Sequence, residues 1–137
     1  MMIRTIIFII SFCIGCSHTN TKIIGNWFFF ENDSAYVEAY FDSNTVVMKD
    51  IMSGRLFYNY EISDDSLFLW FSGKQEVYNL GLVNNISENK LSLITEEDTL
   101  YLYKFFDEVT LTEDSDTNRE VSPFIERALK HWDKVHE

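Results

Sequence analysis

The 137-residue sequence predicts an all-β fold: an up-and-down antiparallel barrel of about eight strands, followed by one C-terminal α-helix. Three observations predict it. From Ile23 onward, short apolar and aromatic runs are divided by polar clusters at near-regular spacing. One turn plan recurs three times within those runs. A 3.6-residue apolar period is confined to the last part of the chain, so no helices alternate with strands as a parallel sheet requires.

Strands are expected at 24–30, 35–41, 45–49, 55–62, 67–71, 76–86, 90–95 and 99–105. Alternation is clearest in the fourth, where Leu56, Tyr58, Tyr60 and Ile62 share one face and Phe57, Asn59 and Glu61 the other. The recurring turn reads Phe41-Asp42-Ser43-Asn44-Thr45-Val46, Ile62-Ser63-Asp64-Asp65-Ser66-Leu67 and Ile86-Ser87-Glu88-Asn89-Lys90-Leu91. Asp and Asn suit such turns because their side chains bond nearby backbone and tolerate left-handed geometry. Three of them in succession imply consecutive antiparallel pairs. Gly81, inside a long strand, marks a bulge or bend.

Residues 107–121 are rich in acids and read as a solvated linker. A helix is expected over 122–137, with Ser122 as N-cap and Pro123 in the first turn. Ile125, Ala128, Leu129, Trp132 and Val135 form its apolar stripe, and Glu126 and Lys130 are spaced to pair on the other side. A lone helix of this length is marginal in water, so the stripe needs cover, and the outer sheet surface is the expected place.

The N-terminus carries an address. Arg4 precedes an apolar run that ends in Cys13-Ile14-Gly15-Cys16. The run is shorter than the about twenty residues of a membrane span. It resembles a bacterial lipoprotein signal peptide. Gly15 and Cys16 match that family's lipobox, while Cys13 stands where leucine is usual. The resemblance implies that residues 1–15 are removed and that Cys16 is acylated, with 16–22 as a lipidated tether to a barrel at 23–106. Ser17 follows Cys16, and 17–21 hold no acid, which favours the periplasmic face of an outer membrane in a two-membrane host. The mature chain then keeps no free thiol and no disulfide, so its stability rests on a packed core.

Gly25-Asn26-Trp27 opens the first strand. It is similar to the Gly-x-Trp entry of lipocalins and compact lipocalin-like lipoproteins. That resemblance implies a tryptophan closing the barrel floor, a glycine allowing close chain approach, and an arginine packed over the tryptophan, for which Arg119 and Arg127 are the candidates. It also implies a small hydrophobic ligand in the barrel, with Tyr40, Tyr58, Tyr60 and Trp70 as the lining residues. Phe28, Phe30, Tyr40, Tyr58, Tyr60, Phe68 and Trp70 either line such a pocket or plug it.

Net charge is −11, or −12 without the signal, whose only charged residue is Arg4. Such a surface repels nucleic acid and anionic lipid headgroups. The histidines, His18, His131 and His136, have no metal-ligand spacing and read as tether and helix surface. Acid pairs such as Asp64-Asp65 fall in turns, away from the enclosed setting that acid–base catalysis needs. No phosphate loop or nucleophile elbow is present, and no cofactor or metal is expected. The expected role is therefore non-enzymatic: ligand binding in the barrel, or a protein-interaction module of the cell envelope.

Overall fold

The computed structural model describes residues 23–107 and 117–136. Eight strands follow one another: β1 (Gly25–Glu31), β2 (Ala35–Phe41), β3 (Thr45–Asp50), β4 (Gly54–Ser63), β5 (Ser66–Trp70), β6 (Tyr78–Ser87), β7 (Lys90–Ile94) and β8 (Thr99–Lys104). Each pairs antiparallel with the next, and β8 returns to β1 through Trp27↔Lys104 and Phe28↔Tyr103, closing the barrel. This is the up-and-down, lipocalin-like barrel expected from the sequence. The expected signal peptide, the tether with Cys16 and His18, and positions 108–116 of the linker lie outside the described residues.

Period-two alternation sorts the side chains into two cores. Inward-facing Trp27, Phe29, Val37, Ala39, Phe41, Val46, Tyr60, Leu67, Leu69, Val83, Leu91, Leu93 and Leu102 form one contiguous buried cluster, with Ile23 at its N-terminal edge. The outward face of β1 and β2 carries a second cluster, Phe28, Tyr36 and Tyr40, joined by Phe105 and Phe124. Strands apolar on both faces need cover on both sides, and the helix provides the outer cover. Helix α1 (Thr117–His136) lies against this wall, with Phe124 in the cluster and Ala128 and Val135 packed against it.

The helix departs from expectation in two ways. It starts at Thr117, five residues before Ser122, so Pro123 lies inside it and Ser122 is not its cap. The early start places Pro123 in the second turn, without the N–H that an interior residue donates to the carbonyl four residues back. Its buried face is also rotated: Phe124 and His131 are buried, whereas Ile125, Leu129 and Trp132 of the expected stripe are exposed. Ala128 and Val135 belong to both stripes.

The turns obey their sequences. Asp64 and Asp65 both take positive φ between the paired Ser63 and Ser66, the geometry of a two-residue hairpin. Gly81 sits at a register shift, with Leu67 opposite Gly81 and Phe68 opposite Asn79. The extra residue lets Leu80 and Val83, three apart, both join the interior. Gly81 has φ +111°, and a Cβ there would lie 2.4 Å from the Ile94 carbonyl oxygen. Gly81→Ala should therefore lose about 1–3 kcal/mol in urea unfolding, because backbone atoms must move to admit the methyl group. Gly73→Ala, also at positive φ but with nothing within 4 Å, should lose only the backbone part, about 1 kcal/mol.

Candidate functional site beneath the helix

Among the described residues, the densest chemistry lies between α1 and the outer face of β2. On β2, Tyr36, Glu38 and Tyr40 occupy alternate positions and so project outward together, while Val37, Ala39 and Phe41 fill the barrel. On α1, Arg127 and His131 are four residues apart and share a face with Phe124. Docking the helix brings the two sets into contact.

Glu38 is fully buried, yet every acceptor position on it is used. Arg127 Nε donates to Oε1 at 2.6 Å and Nη2 to Oε2 at 2.9 Å. The Tyr36 hydroxyl donates to Oε1 at 2.9 Å, and the Tyr40 hydroxyl donates to Oε2. Four donors saturate the four lone pairs of a carboxylate, and the guanidinium fork supplies two in one plane. The pairing with Glu38 raises the Arg127 pKa well beyond its usual range. Burial, then the negative Glu38 beside them, raises both tyrosines, so both stay protonated as donors.

His131 extends the chain of bonds. Its Nδ1 lies 2.8 Å from the Tyr36 hydroxyl oxygen. Tyr36 has one proton and gives it to Glu38, so His131 must be the donor at Nδ1, and donor accounting assigns the Nδ1–H tautomer. Its ring stacks on Phe28 with centroids 3.9 Å apart and planes 8° from parallel. Burial lowers its pKa from 6.5 to about 4, an effect partly opposed by Asp107 and Glu38 and reinforced by Lys130 and Lys134. Lys49, buried in register opposite Glu38, places Nζ 5.2 Å from the Phe124 ring centre. The expectation of a surface histidine thus fails for His131, because the helix rotates it inward. His136 does lie on the surface, stacked on Trp132.

This arrangement has a pH signature. In the folded protein His131 titrates near 4; unfolded, it titrates near 6.5. The unfolded chain therefore binds the extra proton between those values, and stability falls as pH drops through that window. At the steepest, the loss is about 1.4 kcal/mol per pH unit. His131→Phe, which keeps a ring on Phe28, should remove this contribution between pH 6.5 and 4 in urea unfolding series. An unchanged slope would contradict the buried neutral histidine.

The four expected ligand-lining residues do not share a face. Tyr60 and Tyr58 face the interior cluster; the Tyr60 hydroxyl donates to the Asp42 carbonyl at 2.5 Å, and the Tyr58 ring packs on Phe71. Tyr40 points outward, to Glu38. Trp70 alternates with inward Leu67 and Leu69 and opposes Asn59, so it is on the outer wall. Phe28, Phe30 and Phe68 are outward by the same alternation.

Gly25 and Trp27 form a floor of another kind. Trp27 is buried, and its Nε1 donates to the Ile23 carbonyl at 2.6 Å. A cation does lie above its ring, and it is Lys104, with Nζ 5.4 Å from the centre. Arg127 is committed to Glu38, and the Arg119 side chain lies outside the described residues. Gly25, at φ +133°, leaves room for Lys104, whose Cε would be 3.1 Å from a Cβ there. A cleft of about 560 Å³ opens beside this floor, lined by Trp27, Asn85, Glu88, Asn89, Lys104 and Phe106.

Among the described residues, no group of three or more His, Cys, Asp or Glu side chains is placed to hold a metal, and no helix is long and apolar enough to cross a membrane. No protein-family model, no curated protein and no solved structure matches this chain.

The sequence carried a signal for the Glu38 cluster. A lone acid between two tyrosines at i±2, in a strand apolar on both faces, has to find a buried cation. The candidates are the basic residues on the face of the covering helix, and Arg127 with His131 four residues later is that face.

Proposed function

We propose that this chain is a bacterial lipoprotein, anchored through acylated Cys16 on the periplasm-facing side of the outer membrane, that works without catalysis as a protein-interaction module of the envelope. One observation carries the choice of interaction over lumen binding. The inward side chains, led by Trp27, Phe29, Phe41 and Tyr60, form one contiguous buried cluster. A barrel of eight strands has room either for its own side chains or for one small ligand, and a filled interior supports the first. Buried Glu38 and His131 are spent on the outside, where with Tyr36 and Arg127 they hold one helix on the barrel wall. A short tether of 16–22 then holds the Trp27 end near the bilayer and turns the opposite rim outward.

A second reading, a small amphipathic ligand, has the cleft beside Trp27 in its favour. Its volume lies within the range of small-molecule sites, and it offers an ammonium, two amides and the exposed Phe106 ring. Native mass spectrometry of the detergent-purified full chain after exposure to envelope lipid extract separates the two. The interaction reading expects the acylated mass alone. A stoichiometric extra mass that is lost in Lys104→Glu would favour the cleft. Anchoring itself is read by alkynyl-palmitate labelling, which Cys16→Ala should abolish.

A further inference from the structure

Helix α1 presents a second apolar line beside the docked one. Val121, Ile125, Leu129 and Trp132 follow one another at helical spacing and are 47%, 39%, 65% and 39% exposed. Single exposed apolar residues are ordinary on a protein surface, but four along one helix edge form a stripe. The stripe is held rigidly. The neighbouring face of the same helix is fixed by the Glu38–Arg127 pair and by His131 on Phe28. Trp132 is braced edge-on against Phe30 at 5.2 Å and stacked on His136 at 3.9 Å.

Charge borders the stripe unevenly. Glu126 and Asp133 are exposed on the solvent side of the same helix. Asp33 and Asp98 lie at its C-terminal end, lining a cleft with Phe30, Val135 and His136. Two of the helix cations point elsewhere: Arg127 into the buried pair, and Lys130 toward Asp107 at 3.7 Å. The result is an apolar strip rimmed by carboxylates on a chain of net charge −11. A second copy brings the same acids to the same edge, and an anionic bilayer is repelled likewise.

We infer that this edge of α1 docks a basic amphipathic segment of another envelope protein, its apolar side on Ile125, Leu129 and Trp132 and its cations over Glu126, Asp133 and Asp33. The inference rests on the interaction reading and names its surface and the chemistry of its partner. Helix-on-helix docking of this kind uses anchors at the same i, i+4 spacing.

Site-specific photo-crosslinking in cells producing the full chain tests it. Benzoylphenylalanine is placed at Ile125 or Leu129, and in separate strains at Leu82 or Ile94, an exposed pair on the β6–β7 wall. The expected result is a crosslink from 125 and 129 to a Lys/Arg-rich amphipathic peptide of another protein, with yield falling at least threefold in Glu126→Lys/Asp133→Lys. Crosslinks to a second copy, to lipid or to an acidic or uncharged segment would overturn the inference, as would a yield indifferent to the charge reversal. Crosslinks from 82 or 94 but not from 125 or 129 would overturn this surface and leave the interaction reading standing. No crosslink from any of the four would overturn both.

Discussion

Arg127→Met should lower the unfolding free energy by about 3–5 kcal/mol, because it takes the bidentate guanidinium away from a fully buried Glu38. Two tyrosine hydroxyls remain as donors, but they are neutral and do not replace the guanidinium fork. The pair itself is a different quantity. Replacing both partners removes the stranded charge along with its partner, so Glu38→Gln/Arg127→Met should be more stable than Arg127→Met alone. The side-chain amide that Glu38→Gln introduces keeps a carbonyl oxygen, which can still accept from the tyrosines. Urea unfolding followed by circular dichroism measures all four corners of the cycle. A loss below about 1 kcal/mol in Arg127→Met would put the pair in the class of exposed surface ion pairs. That outcome contradicts a carboxylate sealed under the helix.

Trp27→Ala should be of similar size, about 3–5 kcal/mol, for an unrelated reason. Trp27 is the largest fully buried side chain, and its removal leaves a cavity at the barrel floor between Ile23 and the strands above. The Ile23 carbonyl also loses its donor. Trp27→Phe keeps most of the apolar contact and loses the N–H, so about 1–2 kcal/mol is expected. Lys104→Met should cost about 1 kcal/mol or less, since a cation over a ring near the surface contributes little. The three values together separate filling the floor from decorating it.

The barrel was legible because its signals are local. Alternation in 55–62, the acidic turns and Gly81 each act within a few residues, and the strands fall within two residues of their expected ends. The helix was legible as an element but not in its rotation. Counting apolar residues favours Ile125, Leu129 and Trp132, and the structure exposes all three. What decides the rotation is a polar constraint from the other end of the chain: Glu38, 89 residues away, requires Arg127. A hydrophobic period has no access to that requirement. The same blindness hid the site, since Tyr40 reads as barrel lining when it is taken for its ring and as an outer donor when it is taken with Glu38. Lys104 over Trp27 has no signal in the Gly-x-Trp motif; it follows from register, since Lys104 is the partner of Trp27 across the closing strands.

One continuous chain of bonds, His131 to Tyr36 to Glu38 to Arg127, locks α1 on the barrel wall. Nitrogen-15 NMR of the His131 ring, followed from pH 7.5 to 3.5, reads the state of that chain. The expected result is a neutral ring carrying its proton on Nδ1 throughout the neutral range, with a midpoint near 4. A midpoint near 6.5, or a proton on Nε2, would mean that His131 does not donate to Tyr36 and that the helix is not held as described.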